Sequence, residues 1–152
     1  MITTVDPIAT ARAIVAILKD SQAVQDVGVK NIERGEPLNE DPAKCPWIGV
    51  YPIRVPFPSR ALGMGGGFRA ENPEFAVVFQ TTHPLDGAAC QDELGALVQA
   101  GTSALLSDPS LGGTVQMLGD FAVEFNGERK INDSILQVAT LRVVGLTTVS
   151  GG

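Results

Sequence analysis

Between Phe75 and Thr82 the chain alternates, with Phe75, Val77, Phe79 and Thr81 on one side and Ala76, Val78 and Gln80 on the other. A period of two is the pleat of a β-strand, so this stretch predicts a strand. The segments around it change period. Before it, Asp6-Pro7 offers an N-cap and a first-turn proline whose missing N–H costs nothing there. Ile8, Ala11, Ile14, Val15 and Leu18 then recur at helical spacing towards an end near Asp20-Ser21. After the strand, Asp86 is a second N-cap, and Leu94, Leu97, Val98, Gly101 and Leu105 form a stripe that breaks at Asp108-Pro109.

The other apolar runs predict further strands. Val24 to Ile32 is the first, weakened by Gly28; a loop with Pro37, Pro42 and Pro46 follows. Trp47 to Val55 places Trp47, Gly49, Tyr51, Ile53 and Val55 on one face, and Pro52 within it indicates an edge or a bulge. Three strands close the chain: Thr114–Leu118, Phe121–Phe125, and, beyond a turn at Asn126-Gly127, a long one from about Ser134 to Val149. Strands in runs with helices segregated between them predict an α+β domain spanning residues 1–152. The sheet is mainly antiparallel, two main helices pack on one side, and a long glycine-rich loop covers about 56–73.

With 44% hydrophobic and 18% charged residues the chain suits a globular fold, and 5% aromatics leave the core to Val, Leu, Ile and Ala. No apolar run approaches the roughly 20 residues of a membrane helix. The start, MITTVDP, has no basic or apolar leader, which predicts synthesis and folding in the cytosol. Cys45 and Cys90 lack CxxC partners and read as free thiols there. Asn132-Asp133-Ser134 matches a glycosylation sequon, which means nothing without secretion.

Residues able to do chemistry are few. His83, the one histidine, precedes Pro84 with no local nucleophile or carboxylate motif, and reads as a strand-end residue. One histidine and two distant cysteines do not space as a zinc site. The run Gly63-Met64-Gly65-Gly66-Gly67-Phe68-Arg69 lacks the GK[ST] of a phosphate loop and the third glycine of a dinucleotide fingerprint, and a strand follows it where a helix should. So many glycines cannot fix a local conformation by themselves, which predicts a flexible arm carrying Arg60, Phe68 and Arg69 to a partner. Asp120, Glu124 and Glu128 are spaced as a row on a strand face, an arrangement that repels anions more readily than it makes a catalytic dyad. No catalytic residue, cofactor or metal is expected.

Charge is sorted along the chain. Residues 42–70 hold Lys44, Arg54, Arg60 and Arg69 and no acid, whereas residues 71–128 hold nine acids and no Lys or Arg. A net charge of −6 argues against gripping a phosphate backbone. Unlike segments can instead meet head to tail between copies, the arrangement that closes rings.

The chain resembles the tail terminator (tail completion) proteins of long-tailed bacteriophages. The likeness is carried by DPIATARAIVAILK, PWIGVYPIRV, the long loop before FAVVFQTTH, the helix ending in LLSDPSLGG, then TVQMLGDFAVEFNG and SILQVATLRVV. It implies a virion protein, assembled in the host cytoplasm, that forms a hexameric ring capping the tail tube. Such a ring stops tube polymerisation and presents a surface to the head-side connector or head-closure protein. Its expected partners are itself, the tail tube protein and that connector; no membrane or cofactor is involved. DNA would pass through the lumen unbound, as an assembly of about −36 would favour. Arg54, Arg60, Phe68 and Arg69 are the candidate interface residues, and Asp120, Glu124 and Glu128 the candidate acidic lumen or partner face. Two alternatives are another head-tail joining protein and a small ligand-binding α+β domain.

Overall fold

The computed structural model describes residues 4–35, 42–56, 70–84, 86–131 and 133–147. Helix α1 (Pro7–Asp20) starts as its sequence dictates: Asp6 Oδ1 accepts hydrogen bonds from the Ile8 N–H at 2.9 Å and the Ala9 N–H at 3.3 Å. The expected strand from Val24 is instead mostly a second helix, α2 (Gln22–Val27), and only Asn31–Arg34 is a strand, β1. Local chemistry decides this. Ser21 caps the turn by accepting from the Val24 N–H at 3.3 Å, and Gly28 ends it in the left-handed conformation at φ 90°.

A 3₁₀ turn (Pro42–Lys44) leads to β2 (Trp47–Arg54), which returns parallel to β1 and antiparallel to β3 (Glu74–Pro84). Helix α3 (Gly87–Leu106) is capped by Asp86, whose Oδ1 accepts from the Ala89 N–H at 3.0 Å. Two long strands close the fold, β4 (Met117–Ile131) and β5 (Ser134–Leu146), in the sheet order β1-β2-β3-β5-β4. The fold is therefore α+β, with three helices and a mixed sheet that is antiparallel everywhere except β1–β2.

The three expected closing strands are two. Asn126-Gly127 does not turn the chain; it is a bulge inside β4, with Gly127 at φ 85°, and a second register shift falls between Leu118 and Phe121. The hairpin turn lies later, between Ile131 and Ser134.

One sheet face carries Ile48, Val50, Phe75, Val77, Phe79, Ala139, Leu141 and Val143, packed with Ile14 and Leu18 of α1 and Leu94, Leu97 and Leu105 of α3. The other face is not bare. Ala76, Val78 and Gln80 are buried on it, and Cys45, Trp47 and Leu136 form a smaller cluster with Ile131 and Val138. The Lys44 ammonium sits 5.0 Å from the Trp47 ring centroid, close enough for a cation–π contact. Trp47 and Gln80 are register partners, yet the indole N–H and the Gln80 Oε1 are both buried without a hydrogen-bond partner among the described residues.

Gly101 is where α3 meets the sheet. A Cβ there would lie 2.6 Å from Phe79 Cε1 and 3.6 Å from Leu18 Cδ2. Gly101→Ala should gain about 1 kcal/mol of helix propensity but lose about 1–3 kcal/mol to overpacking. Urea unfolding should show a net loss of about 1 kcal/mol, mostly recovered in a Phe79→Leu background. A stabilised single variant would contradict this packing.

Candidate functional site

The bulge in β2 decides where Arg54 points. Strand alternation would put it on the side of Pro52, but the register shift between Pro52 and Arg54 pairs it with Glu74, on the face away from the helices. Glu74 is 7% exposed and receives two guanidinium groups, Arg54 Nη1 at 3.5 Å on Oε2 and Arg142 Nη2 on Oε1. The arginines are 71% and 55% exposed, so they anchor the carboxylate while their remaining N–H groups face solvent. The candidate interface residue Arg54 is thus already engaged within its own chain. Arg60, Phe68 and Arg69 lie outside the described residues.

The acidic row is split by the second bulge in β4. Glu124 faces Thr140, on the same side as Ala122 and Arg142. Glu128 pairs with Gln137, which shares a face with Ala139 and Leu141, so its side chain turns to the helix side. Asp120 is exposed within the first register shift. The three carboxylates therefore do not form one row, because one extra residue at Asn126-Gly127 reverses the alternation.

Glu128 instead belongs to a groove between β4 and the start of α3. Gln137 Nε2 donates to Glu128 Oε1 at 3.3 Å and to the Gly87 carbonyl at 3.0 Å. The carboxylate lies where a Cβ on Gly87 would be, so the first residue of α3 has to be glycine or the contact opens. A negative charge at a helix N-terminus is favoured by the aligned peptide dipoles. The groove encloses about 510 Å³ and is lined by Gly87, Ala88, Gln91, Leu94, Phe125, Gly127, Glu128, Gln137 and Val138. Phe125 is 58% exposed on its wall. Sequence reasoning placed Glu128 on a partner face but found neither this groove nor Glu74, since both depend on long-range register.

Cys90, on α3, is fully buried. Its Sγ lies 3.4 Å from the Thr81 carbonyl and from Thr81 Oγ1, and 3.6 Å from the Ile135 carbonyl. Burial pushes the thiol above its ordinary value; the bonds from Thr81 and the Gln137 backbone oppose this, and the charges of Glu93 and Glu128 add to it. His83 lies near the end of β3 opposite Ile135, with Nδ1 buried and without a hydrogen-bond partner among the described residues. Among the described residues no group of three His, Cys, Asp or Glu side chains is placed to hold a metal ion. No helix of the described residues is long and apolar enough to cross a membrane.

No protein-family profile matches the chain, and no curated protein emerges as a relative.

Because the Cys90 thiol is raised by folding, its contribution to stability is complete below the ordinary value of 9.0 and is lost as pH climbs through the raised one. Wild-type stability measured in urea should thus decline above about pH 9, and Cys90→Ala should flatten that decline. Both cysteines should react with a thiol reagent at pH 8 at least roughly 100-fold more slowly in the native chain than in urea. Rapid labelling of Cys90 in the folded protein would contradict its burial.

Proposed function

We propose that the chain is a structural virion protein that forms a ring, a hexamer by its resemblance, at the head-proximal end of a bacteriophage tail tube. It ends tube polymerisation and presents the surface to which the head-side connector joins. The observation that carries this reading is the outer strand of the sheet. β4 runs for fifteen residues with no strand beyond it among the described residues, and it is exposed along most of Asp120–Lys130. A long exposed edge invites pairing with other chains unless an assembly covers it, and heterologous contacts that close on themselves make rings.

The sorted charge supports the same reading. The basic stretch 42–70 of one copy meets the acidic surface of residues 71–128 on a neighbour or on the tube. Six copies together are strongly anionic, which lets DNA pass without sticking.

The test is deletion of the gene from the phage that carries it, with complementation by wild type or by Arg60→Glu/Arg69→Glu, and tail length read by electron microscopy. Deletion should give overlong tails without heads, rescued by wild type and not by the double variant. Headless tails of normal length on deletion would replace this reading with a head-closure role, and full rescue by the double variant would remove the charge contact.

A further inference from the structure

The groove beside Glu128 and the two roots of the glycine-rich segment, Pro56 and Ala70, lie at opposite ends of the sheet. The segment 57–69 leaves the described chain at Pro56 and rejoins it at Ala70, and these roots are held together: the Glu71 N–H donates to the Pro56 carbonyl at 2.9 Å. Both roots sit beyond the Arg54–Glu74 pair. The groove residue Gln137 pairs with Thr81, seven residues further along β3 than Glu74, about 23 Å away at the rise of a strand. Phe68 and Arg69 are one or two residues from Ala70, so their backbone reaches about 7 Å from that root. They cannot enter the groove of their own chain.

Their chemistry matches it nevertheless. The groove has an apolar floor and wall in Leu94 and Phe125. Its carboxylate is Glu128, while Asp86 caps the adjacent helix end and Glu93 lies near enough to act on Cys90; of the two cations on that stretch of β4, Lys130 shares the helix side with Glu128 and Arg129 pairs with Leu136 on the opposite face. The segment 57–69 carries Arg60, Arg69 and four large apolar side chains, with no acid. Its glycines allow a close backbone approach to a groove wall.

We propose that this groove receives the 57–69 segment of a second copy of the chain, with Phe68 against Phe125 and Leu94 and Arg69 against Glu128. In the head-to-tail form of this exchange each copy gives its segment to one neighbour and takes one from another. This is a heterologous contact, and it rests on the ring reading only for its closure into a ring.

A fluorescent peptide of residues 56–70, titrated into the full-length chain, tests the contact directly. Saturable binding is expected, weakened at least tenfold by Glu128→Lys and by Gln91→Lys, which changes only an exposed groove residue. A peptide carrying Arg69→Glu should bind Glu128→Lys better than wild type does, and melting curves confirm that each variant is folded. Absence of saturable binding, or binding indifferent to both groove substitutions, overturns the proposal. The titration contains no tail component. A failure therefore removes this contact and leaves the ring reading standing, whereas binding by a chain never found on tails removes the ring reading alone.

Discussion

Phe79 is the point at which three elements are joined. Its ring fills the space that a side chain on Gly101 would need, beside Leu18 of α1, so β3, α3 and α1 share one contact. Fully burying such a side chain is worth about 1.5–3 kcal/mol, and its neighbours Phe75 and Val77 extend the same surface. That fixes which side of β3 faces the helices, and with a side-chain period of two it fixes the whole sheet. Ala76, Val78 and Gln80 are then forced to the opposite face, where Trp47 and Leu136 make a second, smaller cluster. The Trp47 indole N–H and the Gln80 amide oxygen meet no hydrogen-bond partner there among the described residues.

Within this scheme the bulges do most to place charge. Each inserts one residue into a strand whose partner stays regular, and each therefore moves a charged side chain across the sheet. In β2 the shift after Pro52 takes Arg54 away from the helix side and sets it on the carboxylate of Glu74, where Arg142 joins it. In β4 the shift at Asn126-Gly127 works the other way, bringing Glu128 from the side of Glu124 to the start of α3. A sheet without these bulges would have Arg54 pressed towards the apolar core and Glu128 out in a row of acids.

This is also why the sequence was legible in some places and not in others. Helix starts depend on neighbouring residues, so Asp6-Pro7 and Asp86 could be read directly, as could the alternation of Phe75–Thr82. Val24–Val27 misled because an apolar run suits strand and helix alike, and the deciding contacts were a Ser21 hydroxyl and a left-handed Gly28. Asn126-Gly127 misled for a related reason. The pair adopts the positive φ that turns require, but a G1-type bulge uses the same glycine, and only pairing across to β5 tells them apart. Glu74 looked like one more acid in an acidic stretch, since nothing local announces two arginines arriving from different strands.

The position of Glu128 bears on how firmly a second chain could hold it. The carboxylate is already served by the Gln137 amide and by the positive end of α3, so an arriving guanidinium replaces interactions and does not neutralise a bare charge. The net gain is then small, of the order of the roughly 0–1 kcal/mol typical of exposed ion pairs. The apolar part of the groove, Phe125 and Leu94, must supply most of any attraction. A single such contact is weak and reversible. Were the proposed contact repeated around a closed assembly, it would become cooperative, because the last one would form without further loss of translational freedom. An interface of this kind favours a closed ring over isolated pairs.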